Sequence, residues 1–132
     1  MPLFSTQPTL GTTAPATATG TITTTSTTDV LATSMTLTPA AGTYLVFFRG
    51  AAWNTSTGAG LGVFLSIYAG GSQDAGSQLF LSDGTNFNTP FTCVAVVTVN
   101  GAQAIEGRWR IAAGSGTASM LSTRALTIVQ IG

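Results

Sequence analysis

The sequence predicts an all-β fold of about eight short antiparallel strands, a β-sandwich or a barrel. Three observations predict it. From Thr19 onward β-branched and aromatic residues dominate, and Gly, Asn, Asp and Ser punctuate them. No stretch sustains a helical period. Apolar residues alternate instead, as on a strand whose side chains point to opposite faces in turn. At 132 residues the chain has the length of one domain.

Residues 1–18, MPLFSTQPTLGTTAPATA, stand apart. They hold three of the five prolines and show no apolar alternation. Such a Pro- and Thr-rich stretch stays extended and builds no core. It forms an extended N-terminal arm, followed by a domain over 19–132. Two readings of the arm stay open: a disordered tail, or a docking segment with Leu3 and Phe4 as its apolar anchors.

The expected strands are 19–26, 31–38, 42–53, 60–69, 76–82, 89–99, 103–112 and 122–131. The clearest turn signal is Val99-Asn100-Gly101-Ala102. Asn-Gly between two alternating runs predicts a two-residue hairpin turn, because both central residues adopt positive φ there. Ala69-Gly70-Gly71-Ser72 and Ser82-Asp83-Gly84-Thr85 are weaker signals of the same kind.

Two of these strands are apolar on both faces. In 42–53, Tyr44, Val46 and Phe48 share one face, and Leu45, Phe47 and Trp53 the other, with Arg49 among them. In 89–99, Phe91, Cys93, Ala95, Val97 and Val99 alternate with Val94 and Val96. A sandwich strand needs one apolar face only. The second calls for a cover, and in a small domain that cover is another subunit. Parity says that one face goes to the core and one to the interface, without saying which.

Strand 103–112 differs. Ile105, Gly107, Trp109 and Ile111 point one way; Glu106, Arg108 and Arg110 point the other. Trp109 belongs to the core beside Gly107. The charged face is solvated, with Glu106 and Arg108 as a same-face pair contributing about 0–1 kcal/mol. The competing reading makes Arg108 and Arg110 contacts to a partner, as arginine is favoured at contact hot spots. Trp53 is a further possible contact, against its place as a rim residue of an assembly.

Composition narrows the function. The chain is 44% hydrophobic and 6% charged with net charge +0, and its mean hydropathy is +0.41. Net charge keeps many proteins soluble and monomeric, so this chain reads as one that works assembled. No apolar run reaches the ~18 residues of a membrane span, and the first residues lack the basic and apolar regions of a signal peptide. Four arginines balanced by four acids do not supply the basic cluster that nucleic acid demands. The single Cys93 forms no internal disulfide framework.

Four stretches carry a family resemblance: TLTPAAGTYLVFFRGA, LSIYAGGSQ, FTCVAVVTVNGAQAIEGRWRI and RALTIVQIG. In this order they resemble the jelly-roll heads of bacteriophage virion proteins, trimeric β-sandwiches similar in shape to complement-type and tumour-necrosis-factor-type domains. Gly42, Tyr44 and Phe47 resemble a core strand of such heads, and 124–131 their last strand. The resemblance covers roughly residues 20–132 and implies an antiparallel jelly-roll that forms a homotrimer. It implies that 42–53 and 89–99 lie in the sheet facing the three-fold axis, with 103–112 in the outer sheet. The implied interface is Tyr44, Val46, Phe48, Val94 and Val96, or the alternate faces of those strands. The chain starts with methionine and has a short arm in place of a repeat-containing shaft, as expected of a separate product that binds a capsid surface.

The expected role is therefore a virion structural protein, a trimeric decoration or cement protein on the capsid surface with the major capsid protein as partner. The alternative is a receptor-binding fibre head that holds a host surface glycan through outer loops, with Trp53, Asp83 and Asn86 at its pocket. An enzyme is not expected. The chain has neither His nor Lys, a Ser or Cys nucleophile needs a base beside it, and a carboxylate pair would have to come from Asp29, Asp74, Asp83 and Glu106, mostly turn residues. No cofactor is expected. Zinc ligands are lacking, and Asp83 with Asn86 and Asn88 reads better as a turn than as a calcium loop.

Overall fold

The structure is a computed structural model that describes residues 13–55, 62–82, 88–112, 114, 116–120 and 123–132. Ten strands form among them: β1 (Ala16–Ala18), β2 (Ile22–Thr24), β3 (Val30–Leu37), β4 (Gly42–Asn54), β5 (Gly62–Ala69), β6 (Ser72–Ser82), β7 (Thr89–Val99), β8 (Ile105–Ile111), β9 (Ala118–Met120) and β10 (Arg124–Gln130). They make two antiparallel sheets packed face to face. In sheet A the order is β1-β10-β4-β9-β2, with β7 on the free edge of β4. In sheet B it is β3-β8-β5-β6. The chain crosses between the sheets at six of the nine connections between these strands, which is a jelly-roll β-sandwich.

The long strand β4 organises sheet A. One edge pairs with β7 from Gly42↔Val99 to Ala52↔Thr89. The other pairs first with β10, Tyr44↔Gln130 to Arg49↔Ala125, and then with β9, Ala52↔Met120 to Asn54↔Ala118. The short strands β1 and β2 pair with β10 and β9 in turn. The sheet therefore begins at Ala16, inside the stretch expected to be an arm. Three residues of ladder suffice there because Ala16 and Ala18 pack against the core. Leu3 and Phe4 lie outside the described residues.

The core follows parity. Tyr44, Val46 and Phe48 of β4 and Phe91, Cys93, Ala95, Val97 and Val99 of β7 are buried against Val63, Leu65, Ile67, Ile105, Trp109 and Ile111 of sheet B. Trp109 is fully enclosed, as its strand pattern predicts. The Phe48 ring lies where a side chain at Gly107 would be: a Cβ there would come within 2.7 Å of the ring carbons. Phe91 packs edge-on against Phe48, centroids 5.1 Å apart at 71°. The buried Tyr44 phenol donates to the Ala40 carbonyl at 2.9 Å, which removes the cost of hiding it.

Of two expected hairpin turns, one forms and the other does not. Ala69-Gly70-Gly71-Ser72 is the tight hairpin, with Gly70 and Gly71 at φ +59° and +82°. Asn100-Gly101 is not one. Gly101 has φ +92°, but β7 pairs with β4 and β8 with β3 and β5, so the loop carries the chain from one sheet to the other. Asn100 Oδ1 accepts from the Ala102 amide at 2.9 Å, and Gln103 Oε1 from the Asn100 amide at 3.1 Å. Local turn chemistry bends the chain, whereas strand partners are chosen by burial.

We expect Gly107→Ala to destabilise the fold by about 1–3 kcal/mol in urea unfolding, because the new methyl must displace Phe48. Gly114→Ala, with nothing within 4 Å of its Cβ, should stay within about 0.5 kcal/mol of the parent.

Candidate functional site

The two outward faces of the sandwich are chemically unlike. On sheet B the charges of β8 neutralise themselves. Arg108 Nε meets Glu106 Oε2 at 3.1 Å, and Arg110 Nε meets Asp29 Oδ1 at 3.4 Å. The guanidinium groups lie over aromatic rings of β5, Arg108 at 4.3 Å from the Tyr68 centroid and Arg110 at 4.0 Å from that of Phe64. Phe64 in turn packs against Phe80, centroids 4.7 Å apart. The Tyr68 hydroxyl donates to Asp29 Oδ2 at 2.5 Å. Burial raises the Tyr68 pKa to about 12, helped by the Asp29 carboxylate and opposed by the two arginines. Sequence alone placed Glu106, Arg108 and Arg110 on a shared face and paired Glu106 with Arg108. It missed Asp29, Tyr68 and Phe64, which come from β5 and from the segment before β3. The arginines are about three-quarters covered, at 26% and 24% exposure. They are fixed parts of a lattice rather than a freely solvated row.

Sheet A presents the reverse. Val94, Val96 and Val129 are 45%, 57% and 47% exposed, and the half-buried Leu45 and Phe47 pair with Val96, Val94 and Val129 in register. Thr43 and Thr98 bond to each other through their hydroxyls at the end of this patch. Arg49 is the only charged residue on the outward side of β4. The structure thus corrects the expected interface. Tyr44, Val46 and Phe48 are core residues, whereas Val94 and Val96 lie on the other face of the same sheet. The five cannot share one surface, because side chains of opposite parity leave opposite sides of a strand. The outward set is Leu45, Phe47, Val94, Val96 and Val129.

Trp53 is half-buried on β4 opposite Ser119. It belongs to sheet A, whereas Arg108 and Arg110 belong to sheet B, so these possible contacts do not converge. Asp83 and Asn86, and with them the expected loop pocket, lie outside the described residues.

A hollow of about 330 Å³ opens elsewhere, where β4, β7 and β10 meet. Arg49, Gly50 and Ala51, Pro90, Phe91 and Thr92, and Thr123, Arg124 and Ala125 line it. Arg124 is buried. Its Nε donates to the Thr33 carbonyl at 3.0 Å and its Nη1 to the Gly20 carbonyl at 2.8 Å. It thereby ties β10 to the bulged strand β3, where Ser34 has φ 71°, and to the step between β1 and β2. Burial lowers its pKa. Sequence reading gave Arg49 and Arg124 no role. The arginine count was available, but which arginines find acids depends on strand order.

Cys93 is buried in the core face of β7. Burial pushes its thiol up to about 12. A protonated, enclosed thiol is a packing group and an inert nucleophile.

No family model matches the chain, and no curated protein does. Solved structures are similar in fold. Eiger TNF from S. frugiperda matches with TM-score 0.48 and 13% identity over 89% of this chain and 92% of that one. The VP2 subviral particle of infectious bursal disease virus matches with TM-score 0.51 and 12% identity over 98% of this chain and 37% of VP2. A family 35 carbohydrate-binding module from Clostridium thermocellum matches with TM-score 0.43 and 14% identity over 86% of this chain and 98% of that one. At such identities the likeness is one of fold. The VP2 match, at TM-score 0.51, is a likeness to the sandwich described above, and the chain spans little more than a third of VP2.

The Cys93 thiol sets a pH dependence. Its pKa is higher folded than unfolded, so its contribution to stability is complete below about pH 9 and lost as pH rises toward 12. We expect urea unfolding to show a loss of up to about 1.4 kcal/mol per pH unit above pH 9 from this group. Cys93→Ala should remove that slope, leaving the smaller loss from Tyr68 above pH 10.

Proposed function

We propose that this chain is a non-enzymatic structural protein of a bacteriophage virion, a homotrimer that decorates or cements the capsid surface. One observation carries this reading: the outward face of sheet A is an apolar patch of Leu45, Phe47, Val94, Val96 and Val129 with no acid on it. Large exposed apolar patches mark contact surfaces. Covering the three valines contributes on the order of 1 kcal/mol each. Sheet B supports the same division of labour. The arginines of β8 are each matched by an acid, Arg108 by Glu106 and Arg110 by Asp29, so neither holds its charge open for a partner.

The mechanism is passive. Three copies bury the sheet A patch between them, and the segment before Ala16, with Leu3 and Phe4, bridges to the major capsid protein. VP2, which shares the fold over part of its length, forms a subviral particle, so a jelly-roll of this kind is compatible with a place in a virus shell.

Native mass spectrometry at micromolar concentration should show a trimer of the 13.3 kDa chain. Val96→Asp places a charge on a side chain already exposed within the subunit. It should give a folded monomer, with unchanged circular dichroism. A monomeric parent protein would refute the assembly. Removal of residues 1–12 should abolish binding to phage heads while leaving the trimer intact. Copies confined to the tail tip of intact particles, seen by antibody labelling, would overturn the capsid assignment.

A further inference from the structure

The Asn100-Gly101 pair bends the chain between the sheets, yet it belongs to neither ladder. It lies just past the last pair of β7, Gly42↔Val99. Asn100, Gly101 and Ala102 are all exposed. The chain has four asparagines, Asn54, Asn86, Asn88 and Asn100, and Asn100 alone is followed by glycine. Asn54 is fully buried.

Three features of this loop favour one reaction, attack of a main-chain amide nitrogen on the side-chain carboxamide before it. The first is access. Gly101 has no side chain to crowd the approach, and among the described residues no hydrogen bond engages its N–H. The second is placement. Asn100 Oδ1 accepts from the Ala102 amide at 2.9 Å, which folds the carboxamide over the Gly101 peptide as an Asx-turn. Gln103 Oε1 accepts from the Asn100 amide at 3.1 Å and holds the near side of the turn. Groups held together in this way react as an intramolecular pair. The third is charge. As the new bond forms, Oδ1 becomes an oxyanion, and the Ala102 N–H already points at it.

We propose that Asn100 is a self-modifying site of the folded protein, which converts without an enzyme to aspartate and isoaspartate. The Gly101 amide nitrogen gives up its proton to hydroxide and bonds to Asn100 Cγ. The Cγ–Nδ2 bond breaks, and Nδ2 leaves as ammonia with a proton from water. Water then opens the cyclic imide that remains. Addition at Cγ restores the main chain and leaves aspartate. Addition at the main-chain carbonyl leaves isoaspartate, in which the chain runs through Cγ. Either product adds one negative charge to a chain of net charge +0. Isoaspartate also lengthens the backbone by one carbon at the crossing from β7 to β8. The site stands on the subunit alone and does not rest on the virion assignment.

The test is incubation of the full, folded chain at neutral and at mildly alkaline pH. Isoelectric focusing follows the charge. Sequencing by mass spectrometry across residues 50–108 locates the change, and isoaspartate methyltransferase labels the rearranged product. A band below the parent isoelectric point of 5.9 should grow in, faster at the higher pH. The change should map to Asn100, with none at Asn54. Asn100→Gln, whose longer side chain must close a larger ring, should slow the growth about tenfold or more. Asn100→Asp should focus with the new band and keep the parent's circular dichroism, because a carboxylate oxygen still accepts from the Ala102 amide. No growth of the band from the folded protein overturns the proposal, whether or not the chain converts in urea. Conversion of Asn54 as fast as that of Asn100 also overturns it, since exposure and the following glycine would then decide nothing.

Discussion

The ring of Phe48 fills the space that Gly107 leaves empty, and the two sheets meet at the separation this contact allows. Sheets in a sandwich pack about 10 Å apart with their inner side chains interdigitated. Here Phe48 of β4 faces a position on β8 with no side chain, while Trp109 sits one pleat along, fully enclosed. Phe91 closes the ring edge-on from β7. This contact fixes the parity of three strands together. Once Phe48 points inward, Val46 and Tyr44 must as well, and Leu45, Phe47 and Arg49 must point out. The register of β7 and β10 on β4 then sets Val94, Val96 and Val129 beside them.

That parity divides the surface into two kinds. Sheet B gathers Asp29, Glu106, Arg108 and Arg110 into a stacked and paired lattice over Phe64 and Tyr68. Each such pair contributes little alone, but every group in the lattice already has a partner. Sheet A receives the apolar remainder and a single unmatched arginine. A protein with net charge +0 is therefore far from uniform. Its three exposed valines, Val94, Val96 and Val129, lie together on the outward face of sheet A.

A second constraint lies at Arg124. A buried guanidinium is costly unless hydrogen-bonded, and this one is bonded to the carbonyls of Thr33 and Gly20, at the irregular points of β3 and of the β1–β2 step. The bulge in β3 and the break between β1 and β2 are thus held to β10 by one side chain. Ser77 plays a similar part on the other side of sheet B, accepting from the Ile67 amide at 2.8 Å where β5 and β6 slip register.

Alternation in the sequence determined the longer strands and which of their residues share a face, but not the three-residue strands β1, inside the expected arm, and β9, outside every expected strand. Trp109 inside, Glu106 and Arg108 paired outside, and two apolar faces on β4 and β7 all follow from a period of two. Periodicity is a local property and survives without knowledge of the fold. Tertiary structure decided the rest. It chose the inward face of β4, because only there does Phe48 meet a glycine on the opposite sheet. It turned Asn100-Gly101 into a crossing between sheets, since strand partners depend on burial across the whole chain. It also selected which arginines find acids, bringing Asp29 to Arg110 and giving Arg124 two backbone carbonyls instead. Sequence spacing carries no trace of these pairings, because the residues concerned become neighbours only when the sandwich closes.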